Sequence, residues 1–206
     1  MTVTISFYDE DNFPLDDTFV QTTVDNTNRE ILYAWQDNGL SGSHPTTTGL
    51  FYTNGSPSGL SGDTFVYSIS GQNSSVQVTG NLTYHFGAAG APAAETHILY
   101  GSIDSITIGA GSDSGGNITS PAITYTFDTP IVGTLAEGRA NDVHDVIWGL
   151  MNGSVTGASD SIGTVSQGGL INALEENGLD VDVPFDSVAD VVGLSAFSES
   201  ELLLAA

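Results

Sequence analysis

Two stretches, 76-VQVTGNLTY-84 and 97-HILYGSIDSITIG-109, decide the fold. Both are rich in β-branched and aromatic residues and largely alternate apolar with polar side chains, the period of a strand with one buried face. The segment between them, 85-HFGAAGAPAAET-96, is too long for a tight turn and reads as a flexible loop. The two strands therefore form a hairpin whose mouth is marked by Tyr84 on one side and His97 on the other. Residues directly opposite in such a pair have Cβ atoms about 5 Å apart. A loop of this kind can carry Tyr84 and Phe86 towards a ligand.

The same period extends outward. Residues 2–8 (TVTISFY) put Val3, Ile5 and Phe7 on one face, 64–70 (TFVYSIS) put Phe65, Tyr67 and Ile69 there, and 122–127 (AITYTF) put Ile123, Tyr125 and Phe127 there. Short Gly/Ser/Asn turns between such segments predict an antiparallel meander. Two segments depart from it. Residues 15–38 hold helix-like patches, LDDTFVQTTVDN and NREILYAWQDNG, whose caps are not evident. Residues 39–63, rich in Gly, Ser, Thr and Pro, read as a long loop, which in a compact domain is usually functional or disordered.

The last third is helical in pattern. In 141-NDVHDVIWGLMNG-153, Val143, Val146, Ile147, Leu150 and Met151 form one apolar stripe, Asn141 is the N-cap candidate and Gly153 the C′ candidate. A second helix spans 168–178 and ends at Gly178, and a short third spans 184–194. Strands followed by helices predict an α+β fold: a curved antiparallel β-sheet with α-helices packed on one face, in a single domain over 1–206.

Composition narrows the function. The chain has 206 residues, 25 acidic and only two basic side chains (Arg29 and Arg139), for a net charge of −23. Such a surface repels nucleic acid and anionic membranes, both of which need basic residues against phosphate. A halophilic or marine source is one reading of this acidity that composition leaves open. There is no cysteine, which excludes disulfides, thiolate metal sites and cysteine nucleophiles. The N-terminus lacks the basic and apolar regions of a secretory leader, and no apolar run reaches the ~18 residues of a membrane span. No hydrolase, P-loop, zinc-protease or dinucleotide motif is present, so nothing identifies an enzyme. The glycine-rich 109-GAGSDSGGN-117 occurs once and reads as a surface turn.

Few side chains remain that could carry chemistry. A phenol beside an imidazole is either a hydrogen bond that pins a hairpin end or an oxygen donor tuned by its proton acceptor, as at iron sites. His44, in the long loop, matters only where a metal needs a second ligand. His85 points to the opposite side of the strand from Tyr84. His144, Trp148 and Met151 flank the helical stripe at i, i+4 and i+7; they are either core packing or one wall for a flat apolar cofactor.

Three stretches make the chain resemble the HasA-type haemophores, which Gram-negative bacteria secrete to capture haem. GNLTYHF followed by HILYGSIDSITIG is similar to the family's Leu-x-Tyr and His-x-Leu-x-Gly-x-(Ile/Leu)-Asp-Ser pattern. EGRANDVHDVIWGLMNG keeps its Gly-Arg, Val-His and Gly-Leu-Met, and the terminal LLLAA is similar to its type I export signal, here within 195–206. The match runs over about residues 60–206. The resemblance implies ferric haem b as ligand, with Tyr84 as axial ligand and His97 hydrogen-bonded to its phenolate oxygen. It further implies Phe86, Leu99, Trp148 and Met151 as haem contacts and His44 as the candidate second axial ligand. It implies a secreted, extracellular monomer, not an enzyme, that takes haem from haemoproteins and delivers it to an outer-membrane receptor without entering the membrane. Haem propionates would face solvent unless Arg139 reaches them, and protonating His97 is expected to weaken the Tyr84–iron bond. The rival expectation is a secreted interaction or surface-structural protein of the same fold that binds no haem.

Overall fold

The computed structural model describes residues 2–8, 26–37, 49–69 and 74–185. Its centre is one seven-stranded antiparallel sheet in the order β1-β7-β6-β5-β4-β2-β3. The strands are β1 (Val3–Tyr8), β2 (Leu50–Thr53), β3 (Ser56–Pro57), β4 (Ser61–Ile69), β5 (Ser74–His85), β6 (Ile98–Ser112) and β7 (Ile118–Gly133). β4 to β7 form the expected meander, and β1 returns to pair with β7. Register shifts at Thr79/Gly80 and Ile103/Ser105 are the kind of bulge that bends a strand and tightens its twist. At the bend the backbones of β5 and β6 come so close that a Cβ on Gly80 or Gly101, both at positive φ, would collide with Ser102 or Asn81 carbonyl oxygens.

Alternation sorts the two faces. Val76, Val78, Ile106, Ile108, Ile123 and Tyr125 are buried under the helices. The opposite face carries cross-strand hydroxyl pairs, Thr79 with Ser105 at 2.7 Å, Thr107 with Thr124 at 2.9 Å and Ser6 with Thr126 at 3.2 Å.

Among the described residues, three helices pack into the core on the apolar side of the sheet. α1 (Asn28–Trp35) corresponds to the second helix-like patch and starts with a capping box, Thr27 Oγ1 accepting from Glu30 N while Glu30 accepts from Thr27 N. Thr27→Ala is expected to cost about 1 kcal/mol of stability, read from the urea midpoint at unchanged slope. α2 (Asp142–Met151) has Asn141 as N-cap, and Gly153 follows it at φ 67°; α3 (Gly169–Glu176) is followed by Gly178 at φ 91°, as the spacing predicts. Asp145 on α2 accepts from Gly169 N at 2.9 Å, fastening the start of α3. Arg29 joins α1 to the far end of the chain through Asp182 and Glu175, each at 2.6 Å. Among the described residues, no helix is long and apolar enough to cross a membrane.

The long loop expected over 39–63 is corrected: residues 50–57 form β2 and β3. They are joined by Asn54 (φ 50°) and Gly55 (φ 72°), the left-handed pair of a two-residue hairpin turn. Residues 15–25, His44, all of the third predicted helix beyond Phe185, and the 195–206 tail lie outside the described residues.

Candidate functional site

The hairpin mouth differs from the simple expectation. Tyr84 is the penultimate residue of β5 and pairs with Leu99, and His85 pairs with Ile98. His97 is therefore not directly opposite Tyr84. It precedes β6 in a left-handed backbone, φ 57°, which non-glycine residues seldom adopt. That turn swings its ring back across the mouth, where Tyr84 Oη meets His97 Nδ1 in a short hydrogen bond. The connecting segment, expected to be flexible along its length, contains a 3-10 turn over Ala93–Glu95. Phe86 packs on both partners, with ring centroids 4.8 Å from His97 and 5.6 Å from Tyr84, yet is 58% exposed. Burial raises the Tyr84 phenol above its ordinary value, and the positive charge of Arg139 partly offsets this. The ligand-free phenol is thus protonated at neutral pH.

The facing wall comes from α2. Asn141 Nδ2 donates to Leu99 O at 3.0 Å, and Leu99 N donates to His144 Nδ1 at 3.2 Å, so one residue of β6 is held at both backbone groups. An accepting Nδ1 puts the proton of neutral His144 on Nε2, which finds no hydrogen-bond partner among the described residues. Burial, with Arg139 adding to it, lowers the His144 pKa to about 4. Its ring stacks on Trp148 at 5.9 Å and 10°.

Between the walls lies a cavity of about 500 Å³, the size of a small-molecule site. Tyr84, Phe86, His97 and Leu99 line it from the hairpin, and His144, Trp148 and Met151 from α2. His85 does not. Phe51 on β2 and Phe65 on β4, 5.0 Å apart, complete it with Leu60 and were not anticipated. Their signal was the Asn-Gly turn beside Leu50-Phe51-Tyr52.

The family model for heme-binding protein A (HasA) matches residues 37–206. Hemophore HasA of Serratia marcescens is 37% identical over 157 residues, 71% of this chain and 74% of that protein. The chain belongs to the HasA family. Solved structures agree on the fold: holo HasA from Yersinia pestis superposes with a TM-score of 0.65 at 18% identity, covering 95% of this chain and 100% of that one. A mutant HasA monomer from Yersinia pseudotuberculosis gives a TM-score of 0.64 at 17% identity, with the same coverage of 95% and 100%.

Within this HasA-family fold, Arg139 is committed inside the protein. Its Nη1 lies 3.0 Å from Asp160 Oδ2, with side chains 9% and 2% exposed, and its Nε donates to Thr96 O at 2.8 Å. Both cations of the chain are therefore ion-paired, Arg29 at α3 and Arg139 at the cavity rim.

Proposed function

We propose that this HasA-family protein is a secreted carrier of ferric haem b. The observation that carries the reading is the Tyr84–His97 hydrogen bond at the edge of an otherwise largely apolar cavity. Among the described residues no three His, Cys, Asp or Glu side chains cluster to hold a bare metal ion. The pair instead offers one oxygen donor, which suits an iron whose equatorial positions are already filled by a porphyrin.

Tyr84 is the axial ligand in this reading, and neutral His97 accepts the proton or hydrogen bond that makes its oxygen more anionic. Phe86, Leu99, Trp148 and Met151, with Phe51 and Phe65, cover the porphyrin faces. With Arg139 paired to Asp160, the cavity offers no free cation to the propionates, which favours their pointing to solvent. His44 is the candidate second ligand. Protonating His97 turns its acceptor nitrogen into a donor and so weakens the Tyr84–iron bond, a route to release. The carrier acts as one domain over 1–206, leaves the cell through the type I signal in 195–206, acquires haem from haemoproteins as a monomer and passes it to an outer-membrane receptor. It is not an enzyme.

The test is titration of ferric haemin into the haem-free protein. A shifted Soret band that saturates at one equivalent is expected. A spectrum equal to that of free haemin would overturn the carrier reading and favour a non-binding interaction protein of the same fold.

A further inference from the structure

We propose that Arg139, Asn141 and His144 form a clamp that presets His97 against Tyr84 before any ligand arrives. Three side chains from six consecutive residues take the backbone polar groups on both sides of His97. Arg139 Nε binds the carbonyl of Thr96 at 2.8 Å, immediately before it. Two residues after it, Asn141 Nδ2 binds Leu99 O at 3.0 Å and His144 Nδ1 accepts from Leu99 N at 3.2 Å. His97 is thus suspended between fixed points in a left-handed conformation that its own chain would rarely choose.

The clamp is itself anchored. Asn141 Oδ1 caps α2 by accepting from His144 N at 2.9 Å. Asp160 Oδ2 holds Arg139 at 3.0 Å, while Asp160 Oδ1 accepts from Ile162 N and Thr164 N at 3.0 and 2.8 Å. Arg139 therefore joins the loop around Asp160 to the hairpin mouth. Among the described residues that line the cavity with Tyr84 and His97, the other titratable ones are Arg139, paired to Asp160, and His144. A donor and acceptor already aligned lose less freedom when a ligand binds. Arg139, Asn141 and His144 are positioning residues here, acting through His97.

The inference rests on the haem reading only for its second readout. The main variant is Arg139→Met with Asp160→Asn, which removes both members of the ion pair and leaves no lone buried charge. The companion is Arg139→Lys, which keeps the charge but lacks the planar fork that spans Thr96 and Asp160. Tyrosine and histidine ring resonances of the haem-free proteins are compared by NMR at neutral pH. In the double variant, the His97 Nδ1 resonance is expected to move towards that of a free imidazole. Arg139→Lys is expected to show the same displacement of the His97 resonance although the charge is kept. Haem loss from the loaded double variant is expected to be at least about tenfold faster, the scale of a lost second-shell contact. Wild-type Tyr84 and His97 resonances in the double variant would overturn the clamp whatever haem does. If that variant does not fold, a wild-type His97 resonance in Arg139→Lys overturns it instead. A protein that binds no haemin fails the carrier reading alone, because the haem-free resonances still decide the clamp.

Discussion

Replacing Tyr84 by phenylalanine is expected to weaken ferric haemin binding by more than about a hundredfold, beyond the 10–100-fold typical of losing a second-shell partner. The substitution is nearly isosteric. It keeps the ring that packs edge-on against Phe86 at 5.6 Å, and it leaves the Tyr84–Leu99 register of the hairpin intact. What disappears is one oxygen, the donor that the proposed function assigns to iron. The apolar walls remain, so residual binding to the cavity is expected, with the tyrosinate-to-iron charge-transfer absorption lost. His97→Gln keeps the phenol but removes its imidazole acceptor, and is expected to cost about 10–100-fold. The order of the two effects is the informative result, since a ligand must matter more than the group that tunes it. Haemin titration followed by quenching of tryptophan emission measures both. Equal affinity for wild-type protein and Tyr84→Phe would remove Tyr84 as the ligand. His44→Ala in the Tyr84→Phe background then asks whether a second protein ligand supports the residual binding.

The parts of this molecule that were legible in the sequence are those whose cause is local. The α2 stripe from Val143 to Met151 follows from helical period, and its ends follow from Asn141 and Gly153. The β5 and β6 strands follow from alternation over 76–84 and 97–109. Tyr84 and His97 could be placed at one hairpin mouth for the same reason. Their actual geometry could not, because alternation carries no information about a left-handed residue just before a strand. The second wall of the cavity was hidden differently. Gly, Ser, Thr and Pro dominate 39–63, and composition outweighed the Asn54-Gly55 turn signal that makes β2 and β3. Phe51 and Phe65 then meet only through the β2–β4 pairing. The Thr27–Glu30 box had its T-x-x-E signature in plain view. The Arg139–Asp160 pair had none: with 25 acidic residues available, the spacing gives no way to choose the partner.

Acid is expected to destabilise the haem-free protein through His144, by about 3 kcal/mol at saturation. In the folded chain burial lowers the His144 pKa from 6.5 to about 4. In the unfolded chain the ring is solvated and takes its proton at the ordinary value. Below pH about 6.5 the unfolded state therefore binds a proton that the folded state refuses. The stabilisation is complete above that pH, declines as the pH falls, and is gone once the pH passes the folded value of about 4. Carboxylates titrate across part of the same range, so the measurement is a difference: urea unfolding at pH 7.5 and pH 4, for wild type and for His144→Gln. Glutamine does not titrate and retains an oxygen that can accept from Leu99 N. The wild-type protein is expected to lose about 3 kcal/mol more than the variant over this interval, and parallel losses would exclude His144 as the cause. The structural consequence reaches the site. A protonated Nδ1 becomes a donor facing another donor, Leu99 N, and one of the three fixings on the segment around His97 is lost. Acid that protonates His144 therefore loosens the wall behind the proposed Tyr84 ligand. Haem retention on acidification is therefore expected to persist to lower pH in His144→Gln than in wild-type protein.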